Sequence, residues 1–162
     1  MIVVSDATPI ISLAKLDLLY VLGLLYNDVF LPQAVFDEVC RNPKYIAEAK
    51  AIQKPAFIKV RAVDNEQSVK GLMDAGLDLG ECEAIVLAGT LPESLLLMDE
   101  RKGRQVAFSM GIRIIGTLGM LLQAKELGYV SQIKPLLDIL LSENIRISES
   151  LYRSILEQAN EN

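Results

Sequence analysis

Residues 1–16 read MIVVSDATPIISLAKL. Ile2, Val3 and Val4 are a short, unbroken apolar run of β-branched residues, and Asp6, Thr8 and Pro9 end it. A strand buried on both faces reads this way, since it has no solvent face on which to alternate polar residues. From residue 9 to 24 the apolar residues recur at helical spacing, which predicts two short helices hinged near Asp17. This strand–acid–helix opening sets the pattern for the rest of the chain.

Further strands are predicted at DVFL (28–31), FIKVRAV (57–63), SLLLM (94–98) and RII (113–115). Helices are predicted between them. One starts at Pro32 and runs to about Arg41, and another covers 45–53. Residues 64–70 read as a polar loop, with a short helix at Gly71 to Gly76. Asp78 or Gly80 opens an apolar helix through ECEAIVLAGT, and residues 101–110 and 118–127 follow as helices. Two amphipathic helices, at about 131–142 and 149–160, complete the chain. Strands alternating with helices predict an α/β fold with a parallel sheet covered on both faces, and 162 residues fit a single domain over 1–162.

The composition narrows the chemistry. The chain has no His, which removes Ser-His-Asp and Cys-His catalysis and most zinc sites. Cys40 and Cys82 are too few for a disulfide framework and read as reduced thiols of a cytoplasmic protein. The N-terminus lacks a positive lead-in, so no signal peptide is expected. No stretch reaches the roughly 18 apolar residues of a membrane span. A net charge of −5 argues against a broad basic surface, so any nucleic-acid contact must be local or helped by cations. No Gly-rich phosphate loop appears, and Asp6-Ala7-Thr8 lacks the second Asp of a DxD phosphatase. The acid pair and strand Lys of a receiver-type phosphoacceptor are missing as well.

In an open α/β sheet, ligands bind beyond the carboxyl ends of the strands. Asp6 follows the first strand and Asp99 the fourth, while Glu38 lies early on the helix after the second. Glu81 lies in the first turn of the helix before the fourth strand, which a right-handed crossover starts at the same edge. Glu83 is its rival, about 200° further round the helix. Carboxylates gathered at one edge repel one another unless a hard cation such as Mg²⁺ or Mn²⁺ joins them. Arg101, Lys102 and Arg104 directly follow Asp99 and form the best local cluster for phosphate, with Lys15 a weaker candidate.

The segments VSDATPIISLAKL, LPQAVFDEV, LGECEAIVLA, LLLMDERKGRQVA and IIGTLGMLLQAKELG resemble the PIN-domain family, and more narrowly its DUF3368 branch. The resemblance implies a three-layer α/β/α fold with strand order 3-2-1-4-5. It implies a Mg²⁺- or Mn²⁺-dependent ribonuclease, in many cases the toxin of a toxin–antitoxin pair. Asp6, Glu38 and Asp99 match the first, second and fourth family acids, and Glu81 or Glu83 takes the third place. Thr8 stands where a Ser or Thr supports the site. Ala7 departs from the small polar residue often found beside the first acid, and a Glu stands at the third place where many members carry Asp. The implied partners are RNA, a small antitoxin protein, and further copies of the chain as a homodimer or larger homo-oligomer. The helices at 131–160 are either core or an interaction arm, through Leu136, Leu137, Leu140, Leu141, Leu151 and Ile155. The alternative is a PIN-like binding or oligomerisation module with weak or no catalysis.

Overall fold

A computed structural model describes residues 1–162. Five strands, β1 (Ile2–Ser5), β2 (Asp28–Pro32), β3 (Ile58–Arg61), β4 (Leu95–Leu97) and β5 (Arg113–Ile115), form one sheet. All pairings are parallel and the order is β3-β2-β1-β4-β5, as the resemblance implies. Thus β1 is central, with Val4 opposite Phe30 on one side and Leu96 on the other.

Side chains alternate across a strand, and the core divides accordingly. Val3, Val29, Leu31, Leu95 and Leu97 face the larger cluster. Val4, Phe30, Leu96 and Met98 face the smaller one. Helices α1 (Ala7–Lys15), α2 (Leu19–Leu25), α3 (Gln33–Cys40), α4 (Ile46–Gln53) and α8 (Thr117–Glu126) contribute to the first cluster. So do α9 (Lys134–Ser142) and α10 (Glu149–Gln158). Helices α5 (Glu66–Asp74), α6 (Leu79–Thr90) and α7 (Arg101–Ser109) contribute to the second. This is the three-layer arrangement.

Asp17, at φ 55°, makes the hinge between α1 and α2. The segment expected as a polar loop followed by a short helix is instead one nine-residue helix, α5. Asn65 caps it by accepting the Ser68 N–H at 3.1 Å, and Gly76, at φ 99°, turns the chain beyond its end. Only Val69 of α5 is buried, so its sequence has the polarity of a loop without being one. No single helix is long and apolar enough to cross a membrane. Cys40 and Cys82 are unpaired.

The two C-terminal helices bury Leu137, Leu140, Ile155 and Leu156 in the larger cluster. Their far end is clasped by Glu161. Its carboxylate accepts the Ile133 and Lys134 N–H groups at 2.7 and 2.9 Å and pairs with Lys125 at 2.8 Å. The first N–H groups of a helix have no partner within it, so Glu161 meets a need that the start of α9 creates. Glu161→Ala should lower stability by about 1–2 kcal/mol in urea unfolding, with α9 and α10 losing amide protection first.

Candidate metal centre at the carboxyl edge

The ladder carries Asp6 into place. Its N–H donates to the Leu97 carbonyl at 3.0 Å, one step past the pairing of Ser5 with Leu97. Asp6 is also the N-cap residue of α1, yet its side chain makes no capping bond. The carboxylate is therefore left to face a cleft of about 180 Å³ that it lines with Thr8, Glu38, Asp78, Glu81 and Lys102. Asp6 is 6% exposed. Burial, followed by the charges of Asp78, Glu81 and Glu38, pushes its pKa up to about 7, although the Ala7 N–H works the other way.

Glu81 is placed by its helix start. Asp78 accepts the Glu81 N–H at 2.8 Å, and Glu81 Oε1 accepts the Asp78 N–H at 3.0 Å, a complete capping box. Glu81 Oε2 is buried and has no partner, alone among the chain's buried side-chain oxygens and nitrogens. An unpartnered buried carboxylate oxygen is costly unless a cation or water meets it. Burial raises the Glu81 pKa, and the charge of Asp78 adds to it. Glu38 reaches the cleft from α3, and its pKa is raised by partial loss of solvent and then by Asp78. Glu83 points elsewhere: its Oε1 accepts the Ala34 N–H at 2.9 Å, in the first turn of α3. Of the two rival glutamates, only Glu81 lines the cleft.

Asp99 shares the sheet edge but not the cleft. Its Oδ1 accepts the Thr117 N–H at 2.7 Å and its Oδ2 the Thr117 hydroxyl at 2.6 Å. It borders two neighbouring hollows, one lined by Arg101 and Arg104, the other by Thr8 and Thr117. Thr8 thus stands between the acid cleft and the Asp99 side of the edge. A larger hollow of about 680 Å³ lies along β5, beside Met1, Tyr26 and Phe108, and holds no acid.

The basic residues divide as well. Arg104 donates to the Met98 carbonyl at 2.8 Å and leans on the sheet edge. Arg101 is exposed. Lys102 lies over Gly76 at the rim of the acid cleft. Lys15 is occupied by Glu48 and Glu143, at 2.9 and 3.2 Å. Two glycines matter here for space. A Cβ on Gly103 would lie 2.6 Å from Met98 Sδ and 3.2 Å from Glu81 Oε2. One on Gly116 would lie 2.9 Å from an Arg104 nitrogen and 3.0 Å from Asp99 Oδ1.

The donor set suits a hard cation. It is all oxygen and includes the orphaned Glu81 Oε2, and nearby the Cys82 thiol is pushed up to about 11 by burial first and then by the charges of Asp78 and Glu81. No three of the acids are drawn close enough to form a ready-made cage for one ion. An ion held here would keep much of its water, as Mg²⁺ commonly does. Asp78 was not among the acids singled out in the sequence. Its signal was there, in the D-x-x-E spacing of Asp78 and Glu81 that marks a capped helix start.

A carboxyl held above its ordinary value binds its proton more tightly folded than unfolded. Without metal, Asp6 therefore lowers stability progressively as pH rises from its ordinary 3.8 to about 7, and the loss is complete above that. Asp6→Asn should raise the stability of metal-free protein at pH 8 by up to about 4 kcal/mol and flatten this pH dependence. Unfolding midpoints measured in EDTA across pH 4–8 check it. Thr117→Val removes the hydroxyl that holds Asp99, and should weaken Mn²⁺ binding by calorimetry about 10- to 100-fold if Asp99 takes part in the site.

The DUF3368 family model, described as a PIN domain, matches residues 2–161. Searches of curated proteins and of solved structures returned no match. PIN domains are generally nuclease-type hydrolases that use divalent metal ions. With its family match, its sheet order and its acid-lined carboxyl edge, the chain belongs to the PIN-domain family, in the DUF3368 branch.

Proposed function

We propose that this protein is a metal-dependent ribonuclease, the toxin member of a toxin–antitoxin pair, that hydrolyses RNA phosphodiesters at the carboxyl edge of its sheet. The observation that carries the reading is the acid cleft beside β1, where Glu81 presents a buried oxygen with no partner.

Asp6, Glu38 and Glu81 would hold Mg²⁺ or Mn²⁺, with Asp99 joining from across Thr8. A divalent ion there supplies acidification of the attacking water and neutralisation of charge on the phosphate. The chain's own residues do the rest. Asp78 fixes Glu81 through the capping box. Thr117 fixes Asp99 with two bonds, leaving its remaining lone pairs directed by geometry rather than by chance. Arg101 is free in solvent to meet a phosphate, and Arg104, anchored at Met98, carries positive charge along the edge. The net charge of −5 makes these local cations and the bound ion necessary for RNA to approach.

A second reading is favoured by two observations: the acids are not gathered into a cage, and Asp99 is already doubly bound by Thr117. A PIN-like module with weak or no turnover, serving in binding or self-assembly, fits that geometry.

The two readings part on cleavage. Purified protein should cut single-stranded RNA in Mn²⁺ and stop in EDTA. Asp6→Asn and Asp99→Asn should each reduce the rate by about 100-fold or more while the fold is kept. Activity that persists in both variants would point to a contaminant. Mn²⁺ binding without cleavage would favour the binding module, and no Mn²⁺ heat at millimolar ion would remove the metal site itself.

A further inference from the structure

The turn between α9 and α10 closes a second cleft against the site. Asn144, at φ 64°, follows α9 in the left-handed region, and residues 144–147 line a cavity together with residues of α1, α8, α9 and α10. This cleft has a volume of about 510 Å³, within the usual range of about 300–1,000 Å³ for small-molecule sites. Leu118, Leu140, Ile147 and Leu151 supply apolar walls, while Ser12 and Arg146 supply polar groups. Thr8 and Asp99 are among its lining residues, and Thr8 also lines the acid cleft, so the two cavities are neighbours.

Arg146 lines this cleft, is exposed and takes part in none of the chain's ion pairs, and both neighbouring acids, Glu143 and Glu149, have partners in Lys15 and Arg153. An unpaired guanidinium beside an apolar cleft suits an anion attached to a flat apolar body. It can bond phosphate oxygens in pairs and can also stack on a ring.

We infer that this cleft receives one nucleobase of the RNA strand, next to the phosphate at the Asp6–Asp99 edge, with Arg146 on the flanking phosphate. The inference rests on the RNA-cleaving reading for its substrate and adds a determinant of which nucleotide is accepted there. Apolar walls hold the faces of the ring, and the Ser12, Thr8 and Asn144 side chains offer the few polar groups that can read its edge. The cleft is lined by residues of α1, α8, α9 and α10, and α1 and α8 begin beside Asp6 and Asp99, so the base would lie next to the acids.

The test uses the full chain in buffer containing Mg²⁺, titrated with each ribonucleoside 5′-monophosphate and with ribose 5-phosphate. Binding is followed by calorimetry and by methyl NMR. At least one nucleotide should bind about tenfold or more tightly than ribose 5-phosphate and shift the methyls of Leu140, Ile147 and Leu151. Arg146→Ala, at an exposed position, should weaken that nucleotide about tenfold. Ile147→Trp, which fills the cleft, should abolish the preference over ribose 5-phosphate while Mn²⁺ binding is kept. Equal binding of nucleotide and ribose phosphate, no binding of either, or shifts confined to other surfaces would overturn the assignment. RNA cleavage with no base-dependent binding would overturn this assignment alone. Nucleotide binding in the cleft without RNA cleavage would support it and discard the nuclease reading.

Discussion

The burial of Asp6 at the end of the central strand is the constraint on which the rest of the site depends. β1 is flanked on both sides, and its ladder runs on through the Asp6 N–H to Leu97, which fixes the Asp6 backbone at the carboxyl edge. A lone acid could take up a proton or turn outward. Here burial raises the Asp6 pKa most, and Asp78, Glu81 and Glu38, which line the same cleft, add to it and bring it to about 7. The fold tolerates this because the opposing terms are large. Val3, Val4, Leu96 and Leu97 are fully buried around it, and apolar burial of that kind offsets several kcal/mol of charge burial.

Around that point the helix starts act as positioning devices. Asp78 and Glu81 cap α6 together, Asp99 secures the start of α8 through Thr117, and Glu83 satisfies an N–H at the start of α3. Asp78, Glu81, Glu83 and Asp99 thereby each have a structural task, whereas the Asp6 side chain makes no capping bond. Glu81 is the exception in part, because one of its oxygens caps and the other is left over. The glycines protect this arrangement by absence of volume. Gly80 lies 3.3 Å, at its missing Cβ, from Glu38 Oε1, and Gly103 and Gly116 keep similar space beside Glu81 and Asp99. None of these three has a left-handed backbone, so their need for glycine comes from close approach rather than from conformation.

Much of the fold was legible in the chain. The β-branched and leucine runs mark all five strands, and the hinge at Asp17 falls where helical spacing is interrupted. The polar stretch from residue 64 hides a helix, because α5 has a single buried residue, Val69, and its helix is announced only by the Asn65 cap and the Gly76 stop. Periodicity needs several buried positions to be visible, and one does not suffice. At the site, Glu81 and Glu83 are indistinguishable by composition, and only the direction of each side chain separates them. Asp99 was the easiest acid to place from its strand end, yet the structure engages both of its oxygens with Thr117, 18 residues on.

The sequence by itself determined the alternation of strand and helix, the oxygen-only chemistry that follows from a chain without His, and the family. These depend on local spacing and on residue type, which survive in one dimension. Only the tertiary structure decided which carboxylates share a cleft, that Asp78 joins them, and that Thr8 links that cleft to a second one under Arg146. Those relations join residues that lie far apart in the chain, and they are set by the pairing of β1 with β4 and the packing of α1 against α8. No local pattern encodes the direction of a side chain at a place where several elements meet.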